Sequence, residues 1–419
     1  MVDFNRFTLN NGLRVLVHED ATTPMAVLNV IYDVGARDED LNKTGFAHLF
    51  EHLMFGGSVN IPSYDEPLQR VGGENNAYTT NDVTNYYLTL PAINIETGFW
   101  LESDRMLSLA FSEKSLETQI SVVSEEFKQN YLNQPYGDVW LKLRPLAYKT
   151  HAYSWATIGK ELAHIADAKM DDVKAFFHKH YNPQNAILVV GGNVKTDEVK
   201  KLAEKWFGQI PAGEKYNRNL VQEESQEEPR QLTVTADVPL NAIYIAFKVP
   251  GRMDKDYHAY DLLSDILSSG KSSRLYLSLL KEQELFSEIN AYHTGNIDPG
   301  LFIVEGKLTD GIAMETAEKA IWTELEKMKD EEVPDIELNK VKNRAESLLV
   351  FSEMSLLDKA TNLAYYELLG DADLLNQEGE EIQKITAADI KRVANNIFDR
   401  KKSSTLNYFK EEKQAAQTA

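Results

Sequence analysis

The tract TGFAHLFEHLMFGG, residues 44–57, predicts one short helix from Thr44 to Phe55. Its apolar residues recur every three or four positions, a period typical of a helix with one buried face. The two glycines at the end of the tract are a helix stop signal. His48 and His52 are four residues apart on this helix. Their imidazoles are therefore expected on one face, one turn from each other.

A histidine pair at this spacing can bind one zinc ion. Glu51 follows His48 by three residues, so its carboxylate is expected near the metal without binding it. From there Glu51 can accept a proton from water that the metal polarises. The pattern H-x-x-E-H is the reverse of the H-E-x-x-H motif of zinc proteases and arises by chance in about 1 chain in 100. The pattern therefore favours a catalytic zinc site over an ordinary amphipathic helix.

An open zinc site needs a third protein ligand, and the helix predicted over residues 114–132 can supply it. Apolar residues form a stripe along this helix with a period near 3.6 residues. Glu126 lies on the flank of the stripe, whereas Glu125 points almost directly away from it. We expect Glu126 to bind the metal and Glu125 to face solvent. The alternative, in which both are surface carboxylates, is the usual situation on an arbitrary helix.

The composition limits both the metal ligands and the partners. The formal net charge is −21, which argues against a nucleic-acid-binding surface. The charge is compatible with attraction of basic peptides, or simply with a solvated acidic surface. Cysteine is absent, so a tight metal site must use histidine and carboxylates. No apolar run is long enough to span a membrane. We expect a protein that is cytoplasmic as written, or periplasmic if a leader was removed.

The order of predicted elements recurs along the chain. A strand over Ala26–Val34 precedes the histidine helix, and a strand over Ala242–Val249 precedes a predicted helix over Asp256–Leu267. At the position of the histidine motif the second helix has residues 262–266, LLSDI, which lack metal-binding types. We therefore expect zinc in the first half only.

The fold class predicted is α+β, with two homologous sandwich-like halves in which helices cover an antiparallel-rich sheet. The boundaries are placed at residues 1–212 for the zinc-binding half and 232–419 for the half without metal. Residues 213–231, GEKYNRNLVQEESQEEPRQ, are polar and contain a proline, so they are interpreted as a linker.

Five segments together resemble the pitrilysin/insulinase family of zinc metallopeptidases, and most closely its branch with mitochondrial processing peptidase and short bacterial relatives. They are residues 45–58, 73–79, 122–126, 181–186 and 270–275. The resemblance implies a zinc endopeptidase acting on short or unfolded peptides, with one zinc ion per chain. It also implies half of a clamshell chamber, in which the second half contributes to the chamber and to dimer contacts.

The resemblance assigns roles to further residues. It places the third zinc ligand at Glu126, in the Val-Val-x-x-Glu position. The family usually has a carboxylate seven residues earlier, where this chain has Gln119, whose neutral amide can still form a hydrogen bond near the metal. Asn75, Asn76 and Ala77 match an edge strand that pairs with extended substrate in the family. The alternative for the two asparagines is ordinary turn chemistry.

The chain departs from the family in its second half. Single-chain relatives carry an arginine and a tyrosine seven residues apart that support the tetrahedral intermediate, and here these places fall on Lys281 and Glu288. Glutamate cannot replace a phenol as a hydrogen-bond donor to an oxyanion. The nearest tyrosines are Tyr276 and Tyr292.

We therefore expect the zinc-bearing subunit of a two-subunit peptidase, with a homologous partner supplying the Arg/Tyr pair; a homodimer stays open. A non-catalytic assembly subunit of the same fold is the alternative. A purely structural zinc domain is disfavoured, since such sites usually have four ligands and often cysteine.

Overall fold

The computed structural model of the protein describes residues 1–412. Its elements form two compact units, each made of three stretches of chain. The first unit contains Met1–Lys128, Trp155–Val221 and Leu348–Glu378. The second contains Gln129–Ser154, Gln222–Ser347 and the chain from Gly379. Each unit thus takes one segment from the other half of the sequence, while the boundaries at 212 and 232 stay a prediction.

Eleven strands lie within the described residues and form two sheets. They are β1 (Asn5–Thr8), β2 (Arg14–Glu19), β3 (Met25–Tyr32), β4 (Glu74–Thr79), β5 (Thr84–Pro91), β6 (Ala186–Gly192), β7 (Arg230–Ala236), β8 (Ala242–Val249), β9 (Phe286–His293), β10 (Gly300–Leu308) and β11 (Ser403–Lys410). The first unit holds a six-stranded sheet with the order β1-β2-β6-β3-β5-β4, in which only β2 and β6 are parallel neighbours.

Fourteen α-helices lie in the same part of the chain. They are α1 (Phe46–Leu53), α2 (Asp65–Arg70), α3 (Ile95–Leu107), α4 (Glu113–Phe127), α5 (Val139–Ala147), α6 (Leu162–Ala166), α7 (Met170–His180), α8 (Thr196–Phe207), α9 (Tyr257–Ser268), α10 (Met314–Asp330), α11 (Asp335–Ser352), α12 (Leu356–Leu369), α13 (Glu378–Lys384) and α14 (Ala387–Ile397). None of the described helices is long and apolar enough to cross a membrane.

The two exchanged segments each bury an apolar helix face. Helix α5 places Leu143, with no exposed surface, in a core with Ile303 and Leu406 of the second sheet. Helix α12 packs on β3 and β6 of the first sheet and buries Leu363 completely. Because burying a leucine side chain stabilises a fold by roughly 2 kcal/mol, these contacts determine where each segment packs.

The second sheet repeats the strand order of the first. Its order is β7-β11-β8-β10-β9, with β7 and β11 parallel and the other pairs antiparallel. This is the order of the first sheet without β1, and in both sheets the edge strand carries the tripeptide Asn-Ala-Tyr, at residues 76–78 in β4 and 290–292 in β9. The spacing between the tripeptides equals the spacing between His48 and Leu262. The predicted α+β fold with two related halves is confirmed.

Some local predictions differ from the structure. The first helix is shorter than predicted, because Gly45 has a left-handed backbone with φ of +88°. The helix predicted over residues 114–132 is α-helical to Phe127 and continues as a π-helix over Lys128–Leu132. Residues 213–229 contain no helix or strand, yet Arg218 pairs with Asp38 at 2.7 Å, so this polar segment is anchored.

Candidate metal centre and active site

The start of α1 is fixed by a buried carboxylate. Glu39 accepts hydrogen bonds from the backbone N–H groups of Gly45 at 2.9 Å and Ala47 at 2.8 Å, and from the Trp155 indole at 3.0 Å. These bonds satisfy amides that a helix leaves free at its first turn. Burial raises the pKa of Glu39 to about 8, although its hydrogen bonds oppose that rise.

Opposite faces of α1 have opposite polarity. Leu49 and Phe50 are completely buried, and the Phe50 ring stacks on Tyr181 with centroids 5.0 Å apart. His48 and His52 keep 14% and 24% of their side-chain surface exposed. The buried face therefore holds the helix in place while the histidines remain accessible to a ligand.

Helix α4 brings a carboxylate to the histidine pair. The Glu126 Oε2 atom lies 3.7 Å from His48 Nε2 and 3.6 Å from His52 Nε2, and the two imidazole rings are 4.9 Å apart and nearly perpendicular. Two ligands of one tetrahedral zinc ion are separated by about 3.3 Å. The three residues form the only group of this kind within residues 1–412. Two imidazole nitrogens and one carboxylate oxygen at these separations fit the ligand set of a zinc ion.

The charges of the three groups also fit a cation site. Burial lowers the pKa of His48, which favours the neutral imidazole that binds metals. Hydrogen bonding to Glu126 raises the pKa of His52, and the same bond lowers the pKa of Glu126. The carboxylate of Glu126 thus favours the protonated form of His52 in the metal-free protein, and zinc competes with that proton for the imidazole. The Nδ1 atom of His48 is buried and has no hydrogen-bond partner among the described residues.

Glu51 lies on the same helix but outside the three-ligand group. Its Oε2 atom accepts a hydrogen bond of 2.6 Å from the Thr79 hydroxyl, at the end of β4. Sequence reasoning missed Thr79, because the contact joins a helix to a strand that is distant in the sequence. The recurring Asn-Ala-Tyr tripeptide marks this edge strand and offered a signal for its importance.

The other residues predicted around the metal lie on α4. Gln119 makes a small contribution to the raised pKa of the His52 imidazole. Glu125 has 58% of its side chain exposed and pairs with Lys128 at 2.6 Å. The helix therefore presents Gln119 and Glu126 to the histidines and directs Glu125 into solvent.

Asn75, Asn76 and Ala77 lie on β4, which is an edge strand of the first sheet. The Asn75 amide donates to Asp65 at 2.8 Å, and the Ala77 N–H donates to the Asn76 side chain at 2.8 Å. In the hairpin turn, Thr80 N–H donates to Val83 O, so Thr80 is hydrogen-bonded to β5. Hydrogen-bonded and non-hydrogen-bonded pairs alternate along an antiparallel ladder, so the backbone groups of residues 75, 77 and 79 point away from β5 to the free edge. Among the described residues, no other strand pairs with this edge.

The second unit lacks the metal ligands at the corresponding place. Leu262 and Ile266 stand where the first unit has its histidines, and both are buried. Asp265, at the position of Glu51, pairs with Arg344 at 2.9 Å. An ion pair and two core side chains thus take the place of a metal site.

Lys281 and Glu288 lie in different elements of the second unit. Lys281 is in a π-helix over Tyr276–Glu282, whereas Glu288 is on β9 and pairs with Lys307 at 2.8 Å. The Tyr292 hydroxyl donates to Glu305 at 3.1 Å. Neither predicted place carries an arginine or a tyrosine.

Comparison with known proteins identifies the family. Residues 14–158 match the model described as Insulinase (Peptidase family M16), and residues 167–345 match the model described as Peptidase M16 inactive domain. A Helicobacter pylori protein named Zinc protease PqqE is 31% identical over 412 residues, which cover 95% of this chain and 91% of that protein. The chain belongs to the insulinase family of peptidases. The family resemblance predicted from the sequence is confirmed.

Two further relatives extend this insulinase-family assignment. The crystal structure of a protease from Helicobacter pylori superposes with a TM-score of 0.92 at 30% identity, over 98% of this chain and 100% of that one. An Arabidopsis thaliana protein named "Probable mitochondrial-processing peptidase subunit beta, mitochondrial" is 24% identical over 415 residues, covering 94% of this chain and 76% of that protein. His48, Glu51, His52 and Glu126 all lie within the first matched region, and residues 262–266 lie within the inactive-domain match.

Proposed function

We propose that this chain is a zinc-dependent endopeptidase of the inverted H-x-x-E-H type, with one zinc ion per chain. The observation that carries the proposal is the convergence of His48, His52 and Glu126, whose ligand atoms all lie within 4.8 Å of one another beside Glu51. Surface carboxylates are common on helices, but two histidine nitrogens facing the same carboxylate oxygen are a donor set suited to zinc.

Zinc, when bound by these three residues, supplies a Lewis acid that polarises water and the scissile carbonyl. Glu51 contributes the proton transfers. Its carboxylate lies beside the ligands without joining them, so it can accept a proton from the attacking water and deliver it to the departing amine. Gln119 supports the charge on His52, since its side chain contributes to the raised pKa of that imidazole.

The substrates proposed are short or unfolded peptides. The edge strand at Asn75, Asn76 and Ala77, in which residues 75 and 77 direct their backbone away from β5, offers hydrogen bonds to an extended chain, which folded domains rarely present. The net charge of −21 supports a preference for basic over acidic peptides through long-range attraction.

The chain is further proposed to act with a homologous partner subunit, either a different chain or a second copy. Glu288 is held by Lys307 and has no proton to donate as a carboxylate, and Lys281 alone replaces the arginine. The relative from Arabidopsis thaliana is itself named a subunit. A partner that contributes an arginine and a tyrosine would supply the donors that this chain lacks.

The test combines zinc analysis with cleavage of a quenched fluorescent peptide, by the wild type and Glu51→Gln, each alone and with a homologous chain encoded in the same genome. We expect one zinc per chain in both proteins and cleavage only by the wild type, increased by the partner. Glu125→Gln is the matched control, since the Glu125 side chain is exposed and pairs with Lys128 instead of facing the histidines. Full activity in Glu51→Gln would refute the proposed base, and full activity of the wild type alone would refute the need for a partner.

The alternative is a non-catalytic assembly subunit of the same fold. The match of residues 167–345 to an inactive domain is the observation that favours it. Zinc-bound wild type that cleaves no peptide with any partner would support this alternative.

A further inference from the structure

Thr79 occupies the place where the edge strand β4 meets helix α1. Its hydroxyl donates to Glu51 Oε2 at 2.6 Å, and within residues 1–412 no other group forms a hydrogen bond with this carboxylate. One carboxylate oxygen is thus held by the protein, and Oε1 is left without a protein donor. A glutamate side chain otherwise has several rotamers, and the hydroxyl selects among them.

The position of Thr79 does not depend on its own side chain. The following turn is closed by Thr80, whose N–H donates to Val83 O at 2.9 Å and whose hydroxyl accepts from the N–H groups of Asp82 and Val83 at 3.0 Å each. Asp82 in turn pairs with buried Arg37 at 3.1 Å. The turn therefore fixes the backbone of Thr79, and removing the hydroxyl should leave the strand intact.

The backbone of Thr79 belongs to the free edge. Thr79 is paired with Thr84 next to the hydrogen-bonded pair Thr80–Val83, so its own N–H and C=O point away from β5. A peptide that adds to β4 would thus form hydrogen bonds with the residue that holds Glu51. Thr79 would therefore contact the bound peptide through its backbone and Glu51 through its hydroxyl.

We infer that Thr79 is a positioning residue, which orients the Glu51 carboxylate for proton transfer and links that orientation to addition of a peptide strand on β4. This inference rests on the proposed peptidase function. Among the described residues, no hydrogen bond or ion pair joins Thr79 to His48, His52 or Glu126, so it acts on the rate of proton transfer through Glu51 and leaves zinc binding unchanged.

The test compares Thr79→Val, which keeps the shape and removes the hydroxyl, with Thr79→Ser, which keeps the hydroxyl. The matched control is Thr89→Val, because Thr89 donates to the Glu74 carboxylate at 3.1 Å on the neighbouring strand. Loss of a hydrogen bond to a charged group predicts a kcat for Thr79→Val that is lower by about 10-fold or more, with KM within about twofold. Thr79→Ser and Thr89→Val are expected to keep kcat within about threefold.

Two readouts do not depend on activity. Zinc affinity, measured by chelator competition, should be equal in all variants; a loss in Thr79→Val that parallels the loss of kcat would overturn the inference, since Thr79 would then only support the fold of the site. Crystal structures should show one Glu51 orientation in Thr79→Ser and a displaced or multiple orientation in Thr79→Val. An unchanged Glu51 in Thr79→Val overturns the inference whether or not the wild type is a peptidase.

If Thr79→Val does not fold, Thr79→Ala is judged by the same outcomes. A wild type that cleaves nothing refutes the proposed function, while the orientation of Glu51 in the crystal structures still decides the role of Thr79. Wild-type activity with an unaffected kcat in Thr79→Val refutes the role of Thr79 alone. The two failures are thus distinguished.

Discussion

Replacing Glu126 by glutamine tests the metal centre directly. The Glu126 Oε2 atom is within 3.7 Å of both imidazole nitrogens, while the neighbouring Glu125 pairs with Lys128 on the exposed side of the same helix. Glutamine keeps the shape of the side chain and removes its charge. Glu126→Gln and Glu125→Gln therefore each remove one negative charge from adjacent positions of the helix. Only Glu126 faces the histidines.

The magnitude follows from the role of a direct ligand. Removing a group that only supports a ligand lowers metal affinity by about 10- to 100-fold, so loss of a ligand carboxylate is expected to exceed about 100-fold, or about 2.7 kcal/mol. Zinc affinity is measured by competition with a chromophoric chelator. Glu125→Gln is expected to stay within about threefold of the wild type, because an exposed ion pair contributes little.

A second measurement checks the same geometry in metal-free protein. Hydrogen bonding to Glu126 raises the pKa of His52, so Glu126→Gln should lower that pKa, as followed by NMR titration of the imidazole. Glu125→Gln should leave it unchanged. The assignment is refuted if Glu125→Gln weakens zinc binding as strongly as Glu126→Gln, or if neither variant weakens it.

Two further predictions concern stability. Burial lowers the pKa of His180 to about 3, so below a pH of about 6.5 the unfolded chain binds a proton that the folded chain excludes. Between pH 8 and pH 5 the unfolding free energy of the wild type, measured by urea titration, should fall by about 2 kcal/mol more than that of His180→Phe. Equal losses in the two proteins would contradict this prediction. Gly45→Ala should lower the unfolding free energy by about 3 kcal/mol, because φ is +88° and a Cβ atom would lie 2.5 Å from the Ile165 side chain. The control is Gly379→Ala, since Gly379 has open space around it. Equal effects of the two substitutions would show that Gly45 is not strained.

Local periodicity was sufficient for the part of the site that lies on single helices. His48 and His52 share a face because four residues span one turn, and this requires no knowledge of tertiary structure. Glu126 was separated from Glu125 by its phase relative to an apolar stripe, and the structure places Glu126 beside the histidines and Glu125 in solvent. The fold class also followed from the alternation of short strands and amphipathic helices.

Contacts between distant segments were beyond that reasoning. Glu39 satisfies the first amides of α1 from a loop, and no capping residue adjacent to the helix announces it. Thr79 reaches Glu51 only because β4 is placed beside α1. Leu143 and Leu363 each pack in the unit formed mainly by the other half of the sequence. Which sheet offers a matching apolar surface decides this packing, and the periodicity of the sequence does not contain that information.

The two sheets explain why, among the described residues, only the first unit brings candidate metal ligands together although the scaffold is repeated. Both edge strands carry Asn-Ala-Tyr in the same register relative to their hairpin bonds, so the backbone frame is common to the two units. The difference lies on the adjacent helix, where buried Leu262 and Ile266 replace the histidines and Asp265 is neutralised by Arg344. Introducing a zinc site in the second unit would require exposing two core positions and freeing a paired carboxylate. Burial of each apolar side chain stabilises the fold by roughly 2 kcal/mol, so replacing Leu262 and Ile266 by histidines would weaken the packing of the second helix. The metal centre proposed for the first unit therefore has no counterpart at this place in the second.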